Sequence, residues 1–121
     1  MWNKTSSRLL NDLYQLTMAQ GLWRSGRADL PAIFHLSFRS APFGGGFIVS
    51  AGQQEAVRRS THVGFVNGDR EYLLGLKDSR DRPLFDPEFV DYLAELEPAC
   101  RIDGVPEGTV VFGGEPVLRV E

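Results

Sequence analysis

The sequence predicts an α+β fold, with helices packed on a small, mostly antiparallel sheet. Three observations predict it. Apolar residues recur at the helical period through residues 8–24 and again through 86–97. They alternate at the strand period in Phe34, Leu36 and Phe38, with Ile33, His35, Ser37 and Arg39 on the other face. After Cys100-Arg101-Ile102 the chain turns β, with strand-like runs on both sides of Gly113-Gly114. Runs of both kinds without strict alternation point to α+β.

The elements follow in order. Residues 1–7 read as a leader, and Ser6 or Ser7 can cap a helix running to about Arg24. Ser25-Gly26 ends it, because glycine takes the left-handed conformation a helix C-terminus needs. On that helix Leu9, Leu10, Leu13, Leu16 and Trp23 fill one sector, and Tyr14, Met18 and Leu22 a second. A surface helix needs one apolar stripe. Two predict cover on both sides, from the chain's own core and from a partner or the rest of a larger protein. Asn11, Asp12 and Gln15 interrupt the apolar surface, so they face the remaining wet strip or have a task.

Pro31 precedes the first strand, Ala41 to Gly46 is a loop, and Phe47-Ile48-Val49 is a short second strand. Ser50 and Gln53 have the spacing of a capping box for a helix to about Arg59. Its apolar face is thin: Ala51, Ala56 and Val57. Thr61 to Gly68 connects to a short helix, Asp69 to Lys77, with Tyr72, Leu73 and Leu76 inward. Asp78 to Pro83 is a solvated loop of alternating charge. Asp86 caps the next helix and Pro87 takes its first position, where a missing N–H costs nothing. Phe89, Val90, Leu93 and Leu96 form its inward stripe, and Pro98 stops it. Thr109–Phe112 and Pro116–Val120 are expected to close on each other as a hairpin at Gly113-Gly114.

A chain of 121 residues is one domain by length, with apolar content for one modest core. A net charge of −3 and no basic stripe exclude general nucleic-acid binding, which needs cations to displace phosphate counterions. No apolar run approaches the roughly 18–20 residues that span a bilayer, and the N-terminus has no signal-peptide core. Cys100 is the single cysteine, so no internal disulfide forms, and a reducing compartment fits. A cytoplasmic protein without a membrane or nucleic-acid partner is expected. Pro116 to Glu121 reads as a strand in which the sequence stops. The expectation is the N-terminal part of a longer protein.

Candidate chemistry is sparse. By spacing alone, Asp12 and Tyr14 are a helix pair, one solvated and one half-buried. Arg39 ends the strand and reads either as a solvated charge or as an anion clamp, since guanidinium holds phosphate through a planar fork of donors. His35 is expected to be a satisfied structural histidine, and Cys100 a buried one-off. Gly44-Gly45-Gly46 lacks the lysine and hydroxyl of a phosphate loop, so it reads as a turn. His35, His62 and Cys100 lack metal-ligand spacing, so no metal site is expected. Glu107-Gly108 and Glu115-Pro116 look like turn residues.

Four segments carry a resemblance. Asp12-Leu13-Tyr14-Gln15-Leu16-Thr17-Met18 resembles the N-terminal helix of nicotinate phosphoribosyltransferases. In the same order follow Phe34 to Arg39 with Pro42 to Phe47, then Phe85 to Leu93, then Val105 to Phe112 with Glu115-Pro116. Two segments depart from the family: Arg58 to Gly68 is more polar, and Asp78 to Pro83 resembles an insertion.

The resemblance implies the N-terminal domain of a type II phosphoribosyltransferase over residues 1–121, without the C-terminal α/β barrel. It implies transfer of a phosphoribosyl group from 5-phosphoribosyl 1-diphosphate to nicotinate, in NAD salvage, coupled to ATP hydrolysis with Mg²⁺ present. The histidine that ATP phosphorylates and most phosphate contacts lie in the barrel, so neither ATP nor Mg²⁺ is expected to bind this chain alone. The resemblance further implies that Tyr14 reaches across a homodimer interface and stacks on the pyridine ring. Asp12 is its companion, and Arg39 the clamp for the phosphoribosyl donor. No residue of this chain is expected to be catalytic. Two alternatives stand beside this reading: a non-catalytic dimerisation or docking module using helix 8–24, and a phosphoribosyltransferase acting on nicotinamide.

Overall fold

The computed structural model describes residues 9, 11–61, 64–66, 68–97 and 99–121. Expectations placed on residues 1–7, Leu10, His62, Val63 and Pro98 lie outside the described residues. In chain order the elements are α1 (Leu13–Arg24), β1 (Phe34–Ser37), β2 (Ile48–Val49), α2 (Gln53–Thr61), α3 (Asp69–Gly75), α4 (Pro87–Glu95), β3 (Ile102–Gly104), β4 (Val110–Val111) and β5 (Pro116–Val120). The α+β class and the antiparallel pairing are as expected. The chain forms two compact units, Met1–Leu30 with Val63–Glu97, and Pro31–His62 with Pro98–Glu121.

The first unit is helical. Leu73, Phe85, Phe89 and Val90 form its core, with Leu16, Ala19, Trp23 and Leu93 packed against them. Trp23 lies over Phe89 at a centroid distance of 5.7 Å and beside Tyr92 at 6.2 Å. Full burial of a side chain such as Phe89 stabilises by about 1.5–3 kcal/mol, so this ring cluster anchors α4 against Trp23 of α1. None of the helices, over the described residues, is long and apolar enough to cross a membrane.

α1 begins later than the apolar pattern predicts. Leu9 lies in a turn, Asn11 in a bend, and Asp12 is extended at the N-cap position (φ −66°, ψ 138°). The residues before Leu13 therefore do not share its helical phase. Leu9 still packs against the core, whereas Leu13, expected there with Leu16 and Trp23, is half exposed. The C-terminal end is as expected: Gly26 adopts φ 67° and donates its N–H to the Trp23 carbonyl at 3.0 Å.

Two inward expectations fail for geometric reasons. Tyr72 is 60% exposed, because one residue's rotation on α3 separates it from Leu73, which is buried. Leu96 is 43% exposed, because α4 ends at Glu95 and Leu96 has already turned extended. Asp86 does sit at the N-cap of α4 with Pro87 next, but its carboxylate makes no cap bond. Arg24 takes that carboxylate instead, at 2.9 Å. The 78–83 loop is tightly organised by Asp78, whose Oδ1 accepts the N–H groups of Arg80 and Arg82 and whose Oδ2 pairs with the Arg82 guanidinium.

The second unit holds both sheets and α2. β5 is central in a three-stranded sheet of order β1-β5-β3, and β2 pairs with β4 in a two-stranded one. Phe34, Val120 and Ile102 lie in one cross-strand row, and His35, Arg119 and Asp103 in the next. Ile48, Val111 and Val117 form a separate core with Phe38, Ala41 and Val105 around it. The apolar residues thus collect in two clusters, not one modest core.

The hairpin expected at Gly113-Gly114 is absent, because β4 and β5 belong to different sheets. The two glycines do form a turn, in which the Phe112 N–H donates to the Glu115 carboxylate at 2.8 Å. That turn packs on the end of β1. Gly114, at φ 87°, donates its N–H to the Phe38 carbonyl at 2.7 Å. A Cβ on Gly113 would sit 3.2 Å from the Arg39 carbonyl oxygen. Close backbone approach, more than hairpin closure, is what these glycines permit.

The capping box is also rearranged. The Gln53 side-chain amide bonds the Ser50 hydroxyl, and both residues are buried. The start of α2 is capped from a distance by Glu107, which accepts the N–H groups of Gly52 and Gln54.

Candidate functional site

Asp12 and Tyr14 come together at the start of α1. Tyr14 lies in the first turn and is 57% exposed. Its backbone carbonyl accepts the Thr17 hydroxyl at 2.9 Å, so the main chain here is held while the ring projects. Asp12 is exposed and its side chain makes no cap bond, which leaves the carboxylate uncommitted to the backbone amides of α1. Met18 and Leu22 continue from Tyr14 at four-residue steps, both half exposed or more. The expected second stripe of the helix therefore exists, and the first unit does not cover it. An exposed aromatic face bordered by apolar side chains can stack on a flat heteroaromatic ring.

Arg39 belongs to the second unit. It follows β1, exposed, in a bend whose backbone is gripped by Gly113 and Gly114. It makes no ion pair with another described residue, whereas Arg24, Arg58, Arg59, Arg70 and Arg82 all do. Pro42–Gly44 then forms a single 3-10 turn in which Phe43 is left-handed at φ 55° and fully exposed. A bulky residue at positive φ is uncommon and strained.

The remaining candidates change their standing. His35 is exposed on the sheet, in register with Arg119. Cys100 is half-buried, not buried. Glu107 and Glu115 are more than turn residues, since each accepts backbone N–H groups. Among the described residues no three His, Cys, Asp or Glu side chains gather to hold a metal ion. Sequence reasoning passed over Gln20, the buried polar residue of α1, because a lone glutamine inside an apolar helix carries no local signature.

The fold and these exposed groups define an α+β domain that presents an exposed tyrosine and an exposed aspartate on one unit and an exposed arginine on the other. The family model described as the nicotinate phosphoribosyltransferase (NAPRTase) N-terminal domain matches residues 9–121. The chain is 40% identical over 114 residues to nicotinate phosphoribosyltransferase of Dictyostelium discoideum, covering 93% of this chain and 18% of that protein. It is 41% identical over 113 residues to the enzyme of Mus musculus, covering 93% and 20%. Among solved structures it matches human nicotinic acid phosphoribosyltransferase with a TM-score of 0.76 at 39% identity, over 92% of this chain and 22% of that one. The chain belongs to the nicotinate phosphoribosyltransferase family, as its N-terminal domain. It spans about a fifth of the length of the relatives it matches.

Proposed function

We propose that this chain contributes the pyridine-binding helix and a donor clamp to nicotinate phosphoribosyl transfer, forming nicotinate mononucleotide and pyrophosphate from nicotinate and 5-phosphoribosyl 1-diphosphate. The observation that carries the reading is the exposed Tyr14 ring, standing within the segment that resembles the family's N-terminal helix. Tyr14 stacks on the pyridine ring, and Asp12 orients a ribose hydroxyl or an arginine beside it. Arg39 holds the phosphoribosyl donor through its guanidinium fork. The uncovered stripe of Tyr14, Met18 and Leu22 suits a homodimer in which the site is shared. A cytoplasmic place in NAD salvage completes the reading.

The chemistry asks for placement more than covalent help. The ribosyl centre becomes cationic as pyrophosphate departs, so the task is to align the nicotinate nitrogen and neutralise the leaving group. Mg²⁺ and ATP, where they act, supply charge neutralisation and driving force. The described residues of this chain form no cluster fitted to the ion, and their part is to bind and orient.

Product formation tests the reading. The domain completed by its barrel should make nicotinate mononucleotide from nicotinate, and the isolated 121-residue chain should not. Product from nicotinamide alone would move the substrate to the amide. No product from either, with a stable protein complex through α1, would leave a docking module.

A further inference from the structure

Gln20 is only 6% exposed, on a helix where Gln15 and Arg24 face water and Thr17 is half-buried. Its side-chain amide uses both ends. Nε2 donates to the Leu84 carbonyl at 3.1 Å, and Oε1 accepts the Asp86 N–H at 2.7 Å. One turn further along, Arg24 pairs with the Asp86 carboxylate. The last two turns of α1 are thus clasped to the segment that leads into α4, while the first turn, which carries Tyr14, extends beyond the clasp.

Among the described residues, Leu16, Ala19 and Trp23 also attach α1, by apolar packing against the core. Apolar burial is non-directional and tolerates a small roll of the helix about its axis. Hydrogen bonds have direction, and a pair made by one planar amide fixes the roll. A roll of about 20° would carry a ring roughly 6 Å from the axis through about 2 Å.

We propose that Gln20, supported by Arg24, is a positioning residue that sets the direction of the Tyr14 ring. This rests on the reading of Tyr14 as the pyridine-stacking residue. It assigns nicotinate affinity in part to a side chain that never touches the ligand.

The test is steady-state kinetics on the complete enzyme, domain and barrel together, with Tyr14→Ala as reference. Gln20→Met keeps length and removes both bonds. Arg24→Met removes an ion pair between exposed side chains, which contributes little to stability. The nicotinate KM should rise about tenfold in Gln20→Met and about threefold in Arg24→Met, with the donor KM unchanged, since a displaced binding group costs up to about a hundredfold. Gln20→Glu adds a readout that a merely structural role would not move. Its protonated carboxyl can donate to Leu84 while accepting from Asp86, so its nicotinate KM, taken relative to the native enzyme at each pH, should recover as pH falls. If Gln20→Met does not fold, Arg24→Met and Gln20→Glu decide. Should Tyr14→Ala raise the nicotinate KM while the Gln20 and Arg24 variants do not, or should these raise both KM values alike, the positioning role is overturned. Should Tyr14→Ala itself change nothing, the stacking role fails and the clasp with it.

Discussion

Glu107 caps a helix that begins more than fifty residues before it, accepting the Gly52 N–H at 3.0 Å and the Gln54 N–H at 3.2 Å on one carboxylate oxygen. Two of the orphan donors of α2 are satisfied this way, and a negative charge sits at the positive end of the helix dipole. Glu107→Ala should destabilise the domain by about 1 kcal/mol, the usual size of a lost cap. Chemical denaturation measures it. Glu107→Gln should lose less, because the amide oxygen still accepts.

Gly114 should resist substitution more than its place in a surface turn implies. Its φ of 87° and its N–H bond to the Phe38 carbonyl hold the Phe112–Glu115 turn against the end of β1. Gly114→Ala should cost about 1–2 kcal/mol through left-handed strain. A Cβ would meet nothing at Gly114 or at Gly64, and only Gly114 is left-handed, so a thermal shift comparing Gly114→Ala with Gly64→Ala reads the strain alone.

Glu55 gives a pH signature. Hydrogen bonds from Arg58 and then Arg59 lower its carboxyl from 4.5 to about 2. The folded pKa is depressed, so its contribution is fully present above 4.5, shrinks below that as the unfolded chain takes up the proton, and is lost as pH falls through about 2. Carboxyl resonances followed by NMR should show Glu55 titrating well below 4.5, at about 2. Glu55→Gln should flatten the acid limb of the stability curve.

Arg39→Ala should weaken the phosphoribosyl donor in the complete enzyme while leaving the fold intact, since the side chain is exposed and pairs with no other described residue. The donor KM and a melting curve check the two halves of that statement. A loss confined to nicotinate would contradict the clamp.

Much of the fold was legible locally. The period of Leu16 and Trp23, the Asp86-Pro87 start and the Gly26 stop are written within a few residues of where they act. What sequence reasoning missed is non-local. Gly113-Gly114 announces a turn but not which strand takes β5, and the partner is decided by β1 and by the Phe38 carbonyl. Ser50 and Gln53 announce a cap, while the acceptor that α2 uses is Glu107. Of the site, the residue types were legible and their exposure was not. Tyr14 looked half-buried by helical phase alone, and it is exposed because it lies on the stripe with Met18 and Leu22 that the first unit does not cover.

The central claim is that Tyr14 meets the pyridine. The most direct measurement is the nicotinate KM of Tyr14→Ala in the complete enzyme, with the donor KM and the melting temperature taken on the same preparation. The account predicts a rise in the nicotinate KM of about tenfold, the scale of one lost aromatic contact, with the donor KM unchanged and the melting temperature nearly so, because the ring is more than half exposed. An unchanged nicotinate KM would contradict it and leave the exposed stripe of α1 as a protein-docking surface.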